Sequence, residues 1–288
     1  MATFTNQAIS YKEFKNSGKL KLTGVEYKIP TKITNFHSIR QVRIVPRNGY
    51  CVVEVIYNVK EIALKPDNGN YAGIDLGVNN LAAVTSNVGN PFIINGRPLK
   101  SINQYYNKTK AKLQRDNKIP LSKLHKIELK RKNLIDNYLH KASRTVVNYL
   151  VSNNINTLVI GHNKGQKQNI TNGSVNNQNF VQIPFNRFIQ MLQYKCQFEG
   201  INVIITEESY TSKSSFFDND ILPVYKQESE EYLFTGKRIK RGLYRTGSKR
   251  IINADINGSL NIIRKVVPNI KIDGIEACSR PVVFTPQN

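Results

Sequence analysis

The chain has 288 residues, enough to bury one sizeable core or one core with a small satellite domain. Lys and Arg number 42 against 20 Asp and Glu, a formal charge of +22 with a pI near 9.9, which is the electrostatic footprint of a polyanion binder. Tryptophan is absent and no apolar run approaches the ~20 residues that span a bilayer, so the composition argues against a membrane role and for nucleic acid.

The first six residues, Met1 to Asn6, lack the basic region and apolar core of a secretory signal. Cys51, Cys196 and Cys278 are far apart and form no C-x-x-C pair, which points to a reducing, cytoplasmic compartment and away from a cysteine-built zinc site. Residues 1–18 are polar and patternless. Period-two alternation begins at Lys19 and runs to Ile33 (Leu20, Leu22, Val25, Tyr27, Ile29), which predicts strands. Gln41–Val45 and Tyr50–Tyr57 flank Pro46-Arg47-Asn48-Gly49, a hairpin with an Asn-Gly turn. Residues 1–70 thus read as a small antiparallel β module, closed by the polar linker Lys65–Asn70.

An apolar strand, Tyr71–Asp75, then ends on a carboxylate. Gly77 turns the chain into a second strand, Leu81–Ser86, and Gly89-Asn90-Pro91 leads to a third, Phe92–Asn95. Three meandering strands with an Asp on the first point to a ribonuclease-H-like sheet. Residues 100–152 are helical in character and broken near Ile119-Pro120, with Leu124, Ile127, Leu134, Tyr138, Ala142, Thr145 and Tyr149 as the apolar stripe of the second helix. Between Arg97 and Arg144 fourteen Lys/Arg, among them Lys123, Lys130, Arg131 and Lys132, face only three acids, an imbalance that favours a phosphate-tracking surface. Tyr105 and Tyr106 are either stacking platforms or, more commonly for adjacent tyrosines, packing residues.

Thr157–Ile160 reads as a short buried strand ending at Gly161-His162, and residues 163–178 as an Asn/Gly/Gln-rich loop. A helix over 184–199, with apolar Phe188, Met191, Leu192, Tyr194 and Phe198 and with Gly200 as its cap, leads into strand Ile201–Thr206, which delivers Glu207-Glu208. Strand, helix and strand in this order imply parallel pairing. Residues 211–252 show little regular pattern. Their basic run, with Lys237, Arg238, Lys240, Arg241 and Arg245 around Tyr244, suits a single strand or a phosphate backbone. Residues 253–267 form an amphipathic helix with Asp255 in its first turn and Pro268 beyond its end; the tail, 268–288, is uninformative.

Asp75, the Glu207-Glu208 pair and Asp255 therefore stand at the edges of one α/β core. Each has an ordinary reading alone: a turn residue, a surface charge, an acid favoured by a helix N-terminus. Together, in a chain of charge +22, they fit two-metal phosphodiester chemistry, with ions about 3.5–4 Å apart.

Gly73-Ile74-Asp75-Leu76-Gly77, Tyr210-Thr211-Ser212-Lys213 and Asn253-Ala254-Asp255-Ile256-Asn257-Gly258 resemble the RuvC-region motifs of the TnpB/OrfB family, transposon-encoded RNA-guided DNA endonucleases related to Fanzor proteins and type V CRISPR effectors. The resemblance covers about residues 19–267. It implies a RuvC-like ribonuclease-H fold, a mixed central sheet with flanking helices over 71–267, carrying a basic helical hairpin at 100–152 and a loop insertion at 211–250. Before it, residues 1–70 would be a partial, N-terminally short wedge-like β module, with much of the family's wedge and helical recognition insertion absent. It further implies Mg²⁺-dependent cleavage, two ions held by Asp75, Glu208 and Asp255, Mn²⁺ as a substitute, and a guide RNA from the transposon end and target DNA as partners, in a prokaryotic nucleoid setting. Two rival readings stay open: a nuclease-inactive nucleic-acid-binding relative, and a transposase of the same fold.

Two departures from the family pattern stand out. The usual catalytic Glu follows the strand equivalent to Thr157–Ile160, where this chain has Gly161-His162-Asn163; the resemblance to a subgroup with a relocated Glu assigns the role to Glu208, with Glu207 and His162 as alternates. Neighbouring strands are about 4.8 Å apart, which a Glu side chain can bridge. The family's two C-x-x-C pairs are also missing, since residues 211–250 contain no Cys, so no zinc is expected.

Overall fold

The computed structural model describes residues 1–115, 120–163, 182–224, 232–272 and 275–286, and most of the predicted loop at 163–178 lies outside them. The chain divides into two compact units, residues 1–61 with 116–129, and residues 62–115 with 130–288. The linker at 65–70 thus belongs to the second unit.

In the first unit, β1 (Ala2–Thr5), β4 (Ile39–Arg47) and β5 (Tyr50–Tyr57) form an antiparallel sheet in the order β1-β4-β5, and β2 (Lys19–Lys21) pairs with β3 (Lys28–Pro30). The predicted hairpin closes at Asn48-Gly49, where Gly49 has φ +78°, a conformation glycine adopts without strain. Residues 1–18 are more ordered than their polarity promised. Ser10 accepts the amide of Glu13 and so caps helix α1 (Tyr11–Ser17), and Gly18 at φ +66° ends it. Leu20, Leu22, Ile29, Ile39 and Val42 are buried around Phe14, whereas Tyr27, read above as part of a strand, is exposed.

The second unit is built on a six-stranded mixed sheet of order β10-β9-β6-β7-β8-β14. Strands β6 (Tyr71–Leu76), β7 (Asn80–Ser86) and β8 (Phe92–Asn95) meander antiparallel; β9 (Thr157–Gly161) and β10 (Asn202–Thr206) add in parallel beside β6. The central strands are apolar on both sides and are covered on both faces. One face is packed by α2 (Arg97–Arg115), α3 (Leu121–Ser152) and α4 (Phe185–Gln197) through a shared core of Leu99, Leu139, Val146, Leu150, Phe188 and Leu192. The other is packed by α5 (Ala254–Val266).

Four sequence expectations change here. The buried stripe of α3 is Ile135, Tyr138, Leu139, Ala142, Val146, Val147 and Leu150, rotated from the predicted one. Tyr194 and Phe198 lie partly exposed, while Lys195 is buried because its Nζ donates to His140 O (2.7 Å) and Ser143 Oγ (2.6 Å). Residues 237–253 are a three-stranded antiparallel sheet, β11 (Lys237–Lys240), β12 (Leu243–Arg245) and β13 (Ile251–Asn253), and not an irregular loop. The tail carries α6 (Ile275–Ser279) and β14 (Val282–Phe284), which pairs parallel with β8 as the sixth strand; Cys278 is buried within the core that α5 shares with β11–β13.

Candidate active site at the ends of β6, β9 and β10

The sheet order brings the three sequence-selected acids to one edge of one face. Asp75 lies near the end of β6, between the paired positions Ala83 and, on the preceding residue, Ile160 of β9. Helix α5 descends onto this strand because three positions lack side chains. A Cβ at Gly73 would fall 2.5 Å from Ser259 O, one at Gly161 would fall 2.4 Å from Ile262 Cδ1, and one at Gly258 would fall 2.7 Å from Asp75 Oδ2. Ser259 Oγ reinforces the contact by donating to Gly73 O at 2.8 Å.

Asp255 is placed by the start of α5. Asn253 caps that helix, its Oδ1 accepting the amides of Asp255 (3.0 Å) and Ile256 (3.2 Å). Both Asp255 oxygens are engaged, Oδ2 by Asn80 Nδ2 at 2.6 Å and Oδ1 by Arg238 Nη2 at 3.2 Å. Asn80 belongs to the strand after Gly77, and nothing in the linear sequence marks it as a partner of a residue 175 positions away.

Glu208 follows β10 and reaches toward β9. Its Oε2 would lie 3.2 Å from a Cβ at Gly161, so the Glu208 carboxylate occupies space that a side chain at 161 would claim. Its backbone amide donates to Asn163 Oδ1 (3.0 Å), and its carbonyl accepts Thr211 Oγ1 (2.8 Å), which gives the Thr-Ser-Lys motif a positioning role. The motif is held in turn from α5: Asn261 Nδ2 donates to Thr211 O and Ser214 O, and Asn257 Nδ2 to Ser214 O.

Glu207 goes elsewhere. It pairs with the nearly buried Lys265 and accepts Ser209 N at 2.7 Å; burial pushes its carboxyl up, but these hydrogen bonds outweigh that and hold it below the usual range. His162 is half-buried, with Nδ1 lacking a hydrogen-bond partner.

The electrostatics set Asp75 and Glu208 apart. Burial, followed by the negative charges of Glu208 and Asp255, pushes the Asp75 carboxyl well above its ordinary value, against the pull of Arg238. Burial and then the Glu207 charge push Glu208 up to about 7, and its Oε2 is a buried acceptor without a partner. Half-buried acids of like charge, one of them with a buried carboxylate oxygen that lacks a partner, suit a hard divalent cation with oxygen ligands. Among the described residues, however, no three His, Cys, Asp or Glu side chains converge closely enough to hold a metal ion.

The basic residues divide. Lys237, Arg238, Lys240, Arg241 and Arg245 are exposed on the β11–β12 hairpin, and Arg97, Arg238 and Arg241 line a cleft of about 430 Å³ together with Asp75, Asn80 and Asp255. Lys123 and Lys130 are exposed; Arg131 donates to Asn103 Oδ1 at 2.7 Å and lies 4.9 Å over the Tyr106 ring, so it braces α2 against α3; Lys132 is half-buried. Tyr244 corrects the expectation of a stacking aromatic. It is fully buried and donates its OH to Lys213 O at 2.7 Å.

Two carboxylates fasten this region where metal-binding cysteines are lacking. Asp220 accepts Ser215 N (2.8 Å), Thr235 N (3.0 Å) and Thr235 Oγ1 (2.7 Å), and Asp218 accepts Ser215 Oγ, Gly247 N (2.6 Å) and Ser248 N (3.1 Å). The buried Arg264 adds bonds to Asp220 O and Ser214 Oγ. In the sequence this region is marked only by its lack of cysteines.

A meander followed by parallel strands on its first member, covered by helices on both faces, defines a ribonuclease-H-like fold of RuvC type. Residues 54–167 match the OrfB_IS605 family model, described as a probable transposase, and residues 185–262 match the TNB domain of the Cas12f1-like family. These two matches, each over less than half of the chain, support the resemblance to the TnpB/OrfB family. Two similar solved structures are a Cas12f1–sgRNA–target DNA complex (16% identity, 77% of this chain and 55% of that one, TM-score 0.51) and a CRISPR-Cas12f ternary complex (15% identity, 81% and 46%, TM-score 0.50). The chain spans about half the length of those two chains, and at such identities the likeness speaks to the fold alone. No curated protein matches it. Among the described residues no helix is long and apolar enough to cross a membrane.

Proposed function

We propose that the chain is an RNA-guided DNA endonuclease of TnpB type, hydrolysing phosphodiester bonds with a Mg²⁺-dependent RuvC site formed by Asp75, Glu208 and Asp255. The observation that carries this reading is the placement of Asp75 against Gly258, on the helix that also supplies Asp255, with Glu208 reaching over Gly161 and its Oε2 buried without a partner. A buried carboxylate oxygen without a hydrogen-bond donor calls for a cation, and an oxygen-ligated divalent ion is one that suits it. Bound there, such ions would activate the attacking water and stabilise the departing oxygen. The chain's own contribution is placement. Gly258 and Gly161 open room for Asp75 and Glu208, Asn163 and Thr211 fix the Glu208 backbone, and Asn253 and Asn80 orient Asp255. Exposed arginines and lysines of the β11–β12 hairpin would hold the DNA backbone, and guide–target pairing would supply sequence specificity.

Asp75→Ala should abolish Mg²⁺- or Mn²⁺-dependent cleavage of a guide-matched DNA while leaving nucleic-acid binding close to wild type. Cleavage that survives this substitution removes the site assignment. A second reading, binding without cleavage, is favoured by the separation of the three acids. Retained binding with no cleavage by the unmodified chain, given guide, target and metal, would establish it.

A further inference from the structure

Resting on the RuvC reading above, we infer that Tyr210 is a positioning residue for Glu208, held in a strained backbone conformation so that its ring ties the Glu208 turn to the segment leading into β11. Tyr210 has φ +64°, in the left-handed region. Among the described residues the other non-glycine positions with positive φ are Asn154, Asn219 and Lys249. Asparagine adopts this conformation readily, whereas a bulky aromatic residue does so at a cost. A glycine would relieve that cost, so what the tyrosine contributes here is its ring. Strain of this kind persists only where the surroundings over-determine it, and it collects at functional sites.

The surroundings do so from both sides. The Glu208 carbonyl accepts Thr211 N (3.3 Å) and Thr211 Oγ1 (2.8 Å), so Tyr210 lies inside the turn that begins at Glu208. The Tyr210 carbonyl accepts the amides of Lys213 (2.9 Å) and Ser214 (3.0 Å), and Ser214 is fixed to α5 through Asn257, Asn261 and Arg264. Glycine at 210 would satisfy these backbone ties equally well. The ring adds another: its centroid lies 5.5 Å from that of Tyr232, edge-on at 66°, and 6.3 Å from that of Phe234, with Lys213 Nζ 5.8 Å away. Tyr232 and Phe234 run directly into Thr235, which Asp220 holds, and then into β11. Leu233 between them is 92% exposed, so the two rings are what face Tyr210. Glu208 depends on this arrangement, because its Oε2 has no hydrogen-bond partner and its place over Gly161 is set by the backbone that carries it.

Two measurements on the full chain test it. In EDTA, with the glutamate carboxyls labelled with carbon-13, the Glu208 signal is identified by its loss in Glu208→Gln. It should stand apart from the exposed glutamates in wild type and in Tyr210→Phe, and should lose most of that offset in Tyr210→Gly. If Tyr210→Gly does not fold, Tyr210→Asn, which tolerates the same φ, takes its place. A ring that merely packs would lower the melting temperature of the glycine variant and leave the carboxyl signal where it is, and that result overturns the inference. With guide, target and Mn²⁺ supplied, single-turnover cleavage should fall roughly 10- to 100-fold in Tyr210→Gly at unchanged nucleic-acid affinity, and Tyr210→Phe should match wild type. Equal cleavage by wild type and Tyr210→Gly overturns the present inference alone. If wild type does not cleave, the endonuclease reading falls, and the carboxyl signal still decides the role of Tyr210.

Discussion

Gly258 lies directly against the carboxylate of Asp75: a Cβ there would fall 2.7 Å from Oδ2 and 3.4 Å from Cγ. The residue that seats the acid is thus one with no chemistry of its own, on the helix that also supplies Asp255.

Gly258→Ala should therefore push Asp75 from its seat. The expected cost is about 1–3 kcal/mol in stability, from overpacking. Metal-dependent cleavage should fall by roughly 10- to 100-fold, because displacement of a reacting group by a fraction of an ångström is enough to cost this much. Thermal unfolding and single-turnover cleavage measure the two effects, and an alanine variant of full activity would show that the helix yields instead.

Glu208 gives a pH dependence with a definite sign. Its folded-state carboxyl titrates at about 7 against an ordinary 4.5, so between these values the folded chain binds more protons than the unfolded one. In EDTA, stability should consequently fall as pH rises from about 4.5 through 7, by up to on the order of 3 kcal/mol. Glu208→Gln should flatten this slope, exceeding wild type in melting temperature at pH 8 and not at pH 4, while losing cleavage at every pH. A difference between the two proteins that stays constant with pH would contradict the assignment.

Asp220→Ala should destabilise the region around β11–β13 by about 1–3 kcal/mol, since it strands the buried amide of Ser215 and removes the acceptor for the Thr235 amide and hydroxyl. A zinc chelator should leave the melting temperature of wild type unchanged. Hydrogen exchange of the 232–253 amides would report both.

Tyr244→Phe removes one hydrogen bond, to Lys213 O, and should cost about 1 kcal/mol. Its affinity for single-stranded nucleic acid should match wild type. Arg241→Gln and Lys240→Gln should each weaken that affinity and reduce its salt dependence, as exposed phosphate contacts do.

What the sequence made legible followed from periodicity and from punctuation. The strand–turn–strand run from Tyr71 to Asn95 and the parallel pair around 157–160 and 202–206 stood out because buried strands are short apolar runs bounded by glycine, proline and polar residues. Asp75, the Glu207-Glu208 pair and Asp255 stood out because each sits where an element begins or ends, and the preference for Glu208 came from the resemblance to a subgroup with a relocated Glu. The choice between Glu207 and Glu208 was open, because it depends on Lys265 taking the first and Gly161 making space for the second, both tertiary facts. Tyr244 misled because an aromatic within Lys237–Arg245 looks the same in sequence whether it faces a base or a core. Residues 237–253 and β14 were missed because three- and four-residue strands carry too few alternations to register, and Ser10 and Gly18 went unread because the helix they delimit has only seven residues.

β14 has a consequence for how this molecule folds. Val282 pairs with Phe92 across 190 positions, and the neighbouring long contacts, Asn80 to Asp255 and Ser259 to Gly73, span 175 and 186. The meander β6–β8 can form from local pairings alone, whereas each of these closures must wait for a long loop to be searched. Until then the β8 edge is open and Asp75 has no helix above it, so the nascent chain passes through a stage with an unpaired strand and no assembled site. Slow closure of β14 onto β8 and of α5 onto β6, after recovery of β-sheet signal, is the kinetic order this topology imposes.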